Sequence, residues 1–519
     1  MPDSRPSTGT RITSSRRLMI NTVLNLMNQV VTVIVNFAMV GFFLDTLGEE
    51  RYGIWILVGS IFSYRNLMSM GLNSAVNRNI PVHLARGDLS AVAGVVSTAF
   101  AYFLAPALIL STATLIVAFN IESWFAIPAG FGETASRVTL IVGLAFALTL
   151  PLQVYNAVLS SYQRYDLINM ISVTSILLRT LLVVFLLHSG HGLVTLALLY
   201  AGAEVAIRAL SMVFGYRLMS GLQISPSRVD SALLAQMMTY GVSTILYMSG
   251  AFLVLKSADM VIGALISTAA VSQFFIATTP ILLLTTVVQV FSQAMKPAVS
   301  ELDEFDEQSR IREMALIAQK YTLFAILPGL AFIFTMGGAF LNVWVGERYP
   351  DPELQSQLET VLQILAIGTG LRLSQHTNFI VLIGKGQHRA FGIATAIMLV
   401  ASILLQIAAI VVFDASLVGV ALGCCIPMAV VSGIFLPVYY SRLMHIGIEQ
   451  SFKRSFLPAT IGAAPGVIVI VVWANYALPT SWPELIAVVF AAGATTALGV
   501  WLFALDAVER ARIRRLLPL

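Results

Sequence analysis

A small set of charged side chains interrupts the long apolar stretches of this sequence. The set comprises Arg65, Arg179, Glu204, Arg208, Lys256, Asp259 and Arg372. A charge at the centre of a bilayer costs about 3 kcal/mol on insertion scales, so it must be paired, hydrated or bound to a ligand. If the apolar stretches span a membrane, these residues are the first candidates for chemistry.

Two groups of these charges have partners close in sequence. Glu204 and Arg208 are four residues apart and face each other on a helix, and Arg179 lies at similar depth on the preceding apolar stretch. Lys256 and Asp259 are three residues apart at the outer end of their stretch, where long side chains reach the membrane interface. Each group is either a structural ion cluster or a site that couples transport to an ion gradient, and the sequence leaves both interpretations open.

Arg65 and Arg372 have no acid near them in sequence. An unpaired guanidinium that faces a cavity favours an anionic ligand, because its planar fork matches phosphate. His376 follows Arg372 by one helical turn and could titrate near neutral pH, although a lone histidine often serves only as a hydrogen-bond partner. We therefore expect Arg65 and Arg372 to bind an anionic substrate, with His376 beside them.

Amide side chains form stripes along two apolar stretches. In the first stretch Asn21, Asn25 and Asn28 fall, with other polar residues, within an arc of about 100° on a helix. The stretch at 267–294 carries a similar stripe that includes Gln289. Amides in lipid need hydrogen-bond partners, which a neighbouring helix or a water-filled cavity can supply. We expect these amides to line a substrate cavity, with helix–helix hydrogen bonding as the alternative.

The composition indicates which elements must position these groups. The chain has 519 residues, of which 58% are hydrophobic and 11% are charged, and its mean hydropathy is +0.86. Soluble domains contain about 25% charged residues, and transmembrane barrels alternate apolar with polar residues instead of forming long apolar runs. The composition therefore predicts an all-α polytopic membrane protein and excludes a soluble enzyme, a nucleic-acid-binding protein and a disordered chain.

Fourteen stretches are long and apolar enough to cross a bilayer. They are 18–44, 52–72, 90–118, 138–160, 167–188, 193–216, 234–256, 267–294, 316–341, 358–383, 390–413, 416–440, 456–476 and 485–505. With both termini in the cytoplasm, 22 of the 30 lysines and arginines lie in cytoplasmic segments and only Arg51, Arg137 and Arg348 lie in external ones. The positive-inside rule therefore favours fourteen transmembrane helices with both termini inside. The first stretch is too long for a cleaved signal peptide and is expected to be retained.

The predicted organisation is that of two similar halves with an addition. Asp88 and Asp306 precede corresponding spans and are 218 residues apart, which is a weak sign of an internal repeat. We predict a basic cytoplasmic N-terminus (1–17), two six-helix bundles (18–228 and 229–443), and two further helices with a basic tail (444–519). No phosphate-binding loop and no metal or disulfide framework is present in the sequence, so no cofactor and no catalytic activity are expected.

Four short motifs carry a resemblance to a known family. Residues 47–55 read LGEERYGIW, and residues 340–349 read FLNVWVGERY; Met70-Gly71-Leu72 precedes Arg78, and residues 417–423 read LVGVALG. In this order, and with this number of spans, they resemble the Wzx-like O-antigen and exopolysaccharide flippases. That family belongs to the superfamily that includes multidrug/toxin extruders and the lipid II flippase.

The resemblance implies two helical bundles around a V-shaped cavity in a bacterial cytoplasmic (inner) membrane, working by alternating access. The implied substrate is an undecaprenyl-pyrophosphate-linked oligosaccharide, moved from the inner to the outer leaflet, and Arg65 and Arg372 fit the pyrophosphate by position. Implied partners are membrane lipids and the polysaccharide polymerase or ligase machinery.

Two other functions stay open at this point. A cation-coupled multidrug exporter of the same fold is disfavoured because the first span carries amides and no acid within its core. A membrane-embedded glycan polymerase or ligase is disfavoured because the longest external loops, at about 119–137 and 342–357, are short.

Overall fold

Long apolar helices form most of the chain. The computed structural model describes residues 15–65, 76, 79–84, 86–219, 224–235, 250–292, 307–387, 389–507 and 509–511. The chain divides into two units, residues 1–245 and 246–519. The predicted boundary after residue 228 falls in a segment that is attached to unit 1, since the backbone N–H of Asp230 donates to Oγ1 of Thr98 at 3.0 Å.

Unit 1 contains seven helices that lie within its described residues. They are α1 (Ser15–Leu47), α2 (Glu49–Ser63), α3 (Leu89–Trp124), α4 (Gly132–Thr149), α5 (Gln153–Ser161), α6 (Tyr165–His188) and α7 (Leu193–Leu218). Helix α4 packs against α3 and α7, and α1 packs against α6. Gly48, with φ of 79°, makes the sharp turn between α1 and α2, because glycine adopts positive φ without steric cost.

Unit 2 contains a second set of helices, and three short π-helical segments lie between or after them. The helices are α8 (Gly250–Leu265), α9 (Thr268–Ser292), α10 (Gln308–Val345), α11 (Pro352–Ser374), α12 (His376–Gly384), α13 (Arg389–Val411), α14 (Leu417–Val430), α15 (Leu436–Met444), α16 (Ile448–Ser451), α17 (Leu457–Tyr476) and α18 (Trp482–Gly499). The π segments are Val431–Phe435, Phe452–Phe456 and Val500–Ala504. Helix α11 packs against α9, α10 and α14, and α13 packs against α8 and α14.

Ten helices in the described part of the chain are long and apolar enough to cross a membrane, or eleven if the bent pair α4 and α5 is one span. The described residues thus confirm a helical architecture with ten candidate membrane spans. Four of the fourteen predicted spans have no single helix of this kind within the described ranges. Part of 52–72 and part of 234–256 lie outside the described residues, and 138–160 is bent by 44° between α4 and α5.

The fourth of these spans, 358–383, is broken into α11 and α12 at Gln375. The backbone N–H of Gln375 bonds to the carbonyl oxygens of Arg372 and Leu373 instead of the one four residues earlier. Irregular backbone at membrane depth is tolerated where it is buried in protein or lines a cavity. The break therefore marks α11 and α12 as elements of a candidate site.

Close approach of backbones fixes the neighbouring wall of unit 2. A Cβ atom at Gly423 of α14 would lie 2.8 Å from the backbone nitrogen of Gln406 on α13. Only glycine fits at this distance, as at other helix contacts in membranes where small residues let backbones meet. The Oγ of Ser402 uses the approach, donating to the carbonyl oxygen of Gly423 at 2.8 Å.

Candidate functional site

An ion cluster in unit 1 joins the segment after α2 to α7. The Nη1 of Arg65 lies 3.4 Å from Oε1 of Glu204, and the same oxygen accepts hydrogen bonds from Nε and Nη2 of Arg208 at 3.1 and 3.0 Å. The three side chains are only 16–18% exposed. The expectation that Arg65 has no acid is therefore wrong, because Glu204 is remote in sequence but adjacent in the fold.

Arg179 does not take the place in this cluster that the sequence suggested. Its guanidinium carbon lies 3.9 Å from the ring centre of Tyr200, and its Nε is buried with no hydrogen-bond partner among the described residues. Trp55 packs edge-on against the same ring, with centroids 4.8 Å apart. A cation–π contact thus holds Arg179, and Arg65, itself 3.5 Å from the ring centre of Phe146, occupies the ion cluster instead.

These side chains line a cavity of about 230 Å³ in unit 1. Its walls are formed by Trp55, Gly59, Phe62, Ser63, Arg65, Val142, Phe146, Arg179, Tyr200, Ala201 and Glu204. Two cations and one anion face the same small space. An entering anion would be attracted by the guanidinium groups and repelled by the carboxylate at short range. This cavity therefore attracts an anion less strongly than a cavity lined by cations alone would.

The amides of α1 are used in a contact with α6. Asn169 donates from Nδ2 to Oδ1 of Asn25 at 2.7 Å and accepts at Oδ1 from Nδ2 of Asn28 at 3.1 Å. Ser172 adds a hydrogen bond from its Oγ to Oδ1 of Asn28 at 3.2 Å. Helix–helix hydrogen bonding, the alternative that the sequence left open, therefore accounts for Asn25 and Asn28. The side chain of Asn21 lies outside the described part of the structure.

Lys256 and Asp259 form an ion pair within α8. The Nζ of Lys256 donates to Oδ2 of Asp259 at 2.9 Å, and the two side chains are 14% and 4% exposed. Helix α8 continues past both residues to Leu265 and the carboxylate is buried in unit 2, and the expected position at the outer end of the span stays a prediction. The ammonium also lies 5.4 Å from the ring centre of Phe275, so packing and pairing both stabilise it.

A second cavity, of about 140 Å³, lies within unit 2. We refer to it as the Arg372 cavity. It is lined by Gly250, Phe252, Leu255, Leu282, Thr285, Gln289, Thr369, Arg372, Gln375, His376, Phe379, Phe391, Thr395, Met398, Met428, Val431, Ser432 and Leu436. Three predicted site residues from two different stretches, Gln289, Arg372 and His376, therefore meet in one space.

Arg372, like Arg179, makes no ion pair with a described acid, but its cavity has no carboxylate among the described lining residues, whereas Glu204 lines the cavity of Arg179. Arg372 lies in the last turn of α11, half-buried, and its Nε is buried with no hydrogen-bond partner in the described part of the chain. The cavity offers amides and hydroxyls, but none of its described lining residues is an acid. A buried cation without a counterion is costly in a low-dielectric site, so the arrangement favours an anion that arrives as a ligand.

Sequence reasoning missed the neutral residues that hold these charges. Asn169 pairs with the amides of α1. The sequence does carry a signal for this contact, because a polar stripe on one helix requires polar partners on a neighbouring helix. Tyr200 lies one turn before Glu204 on the same face of α7, yet an aromatic residue in an apolar helix carries no distinctive pattern. The assignment of Arg65 to Glu204 required the fold itself.

Comparisons with known proteins relate this chain to transporters. A Shigella flexneri protein named "Putative O-antigen transporter" is 22% identical over 365 residues, covering 67% of this chain and 80% of that protein. Among solved structures, the lipid II flippase MurJ in an inward closed conformation matches with a TM-score of 0.67 and 13% identity, covering 93% of this chain and 98% of MurJ. An inward-facing multidrug resistance transporter of the MATE family matches with a TM-score of 0.61 and 17% identity, covering 82% of this chain and 99% of that one.

The fold is therefore that of MurJ and the MATE transporters, as the motif resemblance implied. The sequence profile of one family, described as polysaccharide biosynthesis protein, matches residues 46–352, which is more than half of the chain. That range contains the predicted motif at 47–55 and the motif at 340–349. The family match, the Shigella relative and the fold agree with the sequence motifs, and the chain belongs to the polysaccharide biosynthesis protein family.

Proposed function

We propose that this protein is a flippase that moves an undecaprenyl-pyrophosphate-linked oligosaccharide from the inner to the outer leaflet of the bacterial cytoplasmic membrane. Its role would be in the biosynthesis of O-antigen or exopolysaccharide. Membership of the polysaccharide biosynthesis protein family, the relative named as an O-antigen transporter and a fold shared with a lipid flippase support this function.

The single observation that carries the proposal is the state of Arg372. A guanidinium without an acid lines a cavity within the apolar helices of unit 2, and guanidinium binds phosphate oxygens in bidentate fashion. The pyrophosphate of the substrate would supply the missing negative charge. Gln289 and His376 lie on the same cavity and would donate hydrogen bonds to the remaining oxygens.

Arg65 has a secondary role in this proposal. Because Glu204 already neutralises part of its charge, Arg65 would attract the substrate more weakly than Arg372 does. The Arg65–Glu204–Arg208 cluster would mainly fix the segment after α2 to α7.

The Lys256–Asp259 pair is the better candidate for ion coupling, since its carboxylate is buried and paired with an amine. This coupling role fails if Asp259→Asn flips substrate as fast as the unchanged protein under an imposed proton gradient.

The remaining features of the proposal concern topology and setting. We propose fourteen spans with both termini in the cytoplasm, organised as 1–17, 18–228, 229–443 and 444–519, because this arrangement places most basic residues inside. Alternating access would move the substrate, without catalysis and without a cofactor. The polymerase or ligase that consumes the flipped glycan would be a functional partner in the same membrane.

Reconstituted vesicles test the function directly. The protein is inserted into vesicles with a lipid-linked oligosaccharide whose sugar is radiolabelled, and membrane-impermeant periodate reports the fraction exposed outside. The proposal expects protein-containing vesicles to expose nearly all of the glycolipid, whereas protein-free vesicles expose only the outer half. Equal exposure in the two preparations would contradict it.

The fold shared with the MATE transporter supports a second candidate, a cation-coupled exporter of small molecules. The same vesicles loaded with ethidium distinguish the two functions. An exporter would move ethidium and leave the glycolipid distribution unchanged. In α1 two amides serve the contact with α6 and no acid is buried there among the described side chains, which argues against a drug-cation site on that helix.

A further inference from the structure

A third cavity, of about 290 Å³, lies in unit 2 on the other side of the break between α11 and α12. We refer to it as the Tyr440 cavity. It is lined by Gln319, Leu371, Ser374, Gln375, Asn378, Gly433, Pro437, Tyr440, Ser441, Ile446, Ser451, Phe452 and Phe456. Its volume is at the lower end of the range for small-molecule sites, about 300 Å³, so it can hold a ligand as well as solvent.

The described lining of the Tyr440 cavity carries no charge and sets amide and hydroxyl groups within a largely apolar wall. Asn378 donates from Nδ2 to Oε1 of Gln375 at 2.7 Å, and Gln375 donates from Nε2 to Oγ of Ser374 at 3.4 Å. Gln319 continues this chain of hydrogen bonds, since it donates from Nε2 to the carbonyl oxygen of Ser374 at 3.2 Å and accepts at Oε1 from Oγ of Ser451 at 3.2 Å. Amides and hydroxyls both donate and accept, so this surface matches a neutral ligand rich in hydroxyl groups.

One group in the wall is left without a partner. Tyr440 is only 5% exposed, and its Oη is buried and makes no hydrogen bond to any described residue. Buried hydroxyls in native structures are nearly always bonded. The hydroxyl is closed to solvent in this structure, so a ligand in the cavity would reach it after a small movement of the Tyr440 ring and would then supply the missing hydrogen bond.

Gln375 connects this cavity to the Arg372 cavity, because it lines both. A ligand that carries an anionic group next to a neutral, hydroxyl-rich group could place one in each cavity around the break. Phe452 and Phe456 add apolar surface to the Tyr440 cavity, against which the C–H face of a sugar ring can pack.

We propose that the Tyr440 cavity is a subsite for an uncharged sugar residue of the lipid-linked substrate, next to the pyrophosphate at Arg372. This inference rests on the proposed function and adds to it a site that selects the glycan. Arg442, Lys453 and Arg454 flank the cavity in sequence, and the proposed topology places them in the cytoplasm. The subsite would therefore read the glycan on the side of the membrane where the substrate enters.

Binding to the full-length protein in lipid nanodiscs tests this subsite. Two probes are compared, undecaprenyl pyrophosphate alone and undecaprenyl pyrophosphate that carries a neutral trisaccharide. The unchanged protein is expected to bind the glycosylated lipid more tightly. Tyr440→Phe removes only the hydroxyl and is expected to weaken binding of the glycosylated lipid about fivefold, with no change for the sugar-free lipid.

Three further variants make the outcome specific. Tyr439→Phe is the matched control, because the Tyr439 hydroxyl donates to the carbonyl oxygen of Gln387 at 3.3 Å. This variant should leave both affinities unchanged. Gly433→Leu fills the cavity from a position where a Cβ is accommodated, 3.4 Å from Leu371, and should remove the preference for the glycan. Arg372→Gln should weaken binding of both lipids.

Several results would overturn the inference. If Tyr440→Phe and Gly433→Leu leave the preference for the glycosylated lipid intact, the cavity holds only water. If both variants weaken the two lipids equally, the cavity contributes to structure and not to glycan selection. If the unchanged protein binds both lipids without preference, this inference alone fails, whereas binding of neither lipid contradicts the proposed function as well.

Discussion

Replacing Glu204 with glutamine tests how the cations of unit 1 are held. Glu204→Gln keeps the shape of the side chain and removes the charge that binds Arg65 and Arg208 through one oxygen atom. Both guanidinium groups would then stay half-buried without a counterion, with Arg179 on the wall of the same cavity. The folded state should therefore lose free energy relative to the unfolded state.

The magnitude follows from the burial of the cluster. Removing one partner of a fully buried ion pair costs about 3–5 kcal/mol. Here the side chains are 16–18% exposed, and partial hydration reduces the cost to about 2–3 kcal/mol. Glu133→Gln is the matched control, since Glu133 also pairs with an arginine four residues on but is 77% exposed. Its loss should be below about 0.5 kcal/mol.

Thermal unfolding of the purified full-length protein, followed by tryptophan fluorescence, measures both changes. Glu204→Gln should lower the unfolding midpoint by several degrees, and Glu133→Gln should leave it nearly unchanged. Adding Arg208→Gln to Glu204→Gln should recover part of the loss, because it removes one of the unpaired cations. Equal unfolding midpoints for Glu204→Gln and the unchanged protein would refute the ion pair between Glu204 and Arg65.

Three further predictions concern contacts that hold the helices together, each measured by the same unfolding assay. Asn169→Ala leaves the two amides of α1 without their partner and should cost about 1–3 kcal/mol; a neutral result would contradict the α1–α6 contact. Lys320 lies 2.7 Å from both carboxylate oxygens of Glu509 and both are buried, so Lys320→Met alone should cost about 3 kcal/mol, while Lys320→Met with Glu509→Leu should restore most of it. Gly423→Ala should destabilise the folded protein, because the new Cβ would lie 2.8 Å from a backbone atom. Gly493→Ala should not, because no atom lies within 4 Å of its Cβ position. Similar unfolding midpoints for the two variants would refute the close contact.

The architecture was largely predictable because a single physical effect, the burial of apolar side chains in lipid, governs it. That burial requires continuous helices of about 20 residues, and such stretches are visible in the sequence whatever their neighbours are. The boundaries of α6, α7 and α13 therefore lie within two residues of the predicted ones. The helix breaks were not predictable, since the break at Gln375 arises where polar residues line cavities on adjacent faces of one span.

The sequence predicted the charged residues of the candidate site but not which of them form ion pairs. The unusual position of Arg65, Arg372 and Glu204 within apolar stretches is a local property, so the sequence reveals it. Which charge meets which depends on contacts across 139 residues of chain in the case of Arg65 and Glu204, and only the fold supplies these. The same reason explains why the orphaned hydroxyl of Tyr440 was not foreseen.

The measurement that tests the central claim most directly is the rate of glycolipid flipping in vesicles that contain Arg372→Gln. Arg137→Gln, which removes an exposed arginine that pairs with Glu133, is the matched control. If Arg372 binds the pyrophosphate, its replacement should slow flipping at least about tenfold, the equivalent of one charge-assisted hydrogen bond, and Arg372→Lys should retain part of the rate. Flipping by Arg372→Gln at the rate of the Arg137→Gln control would contradict the account.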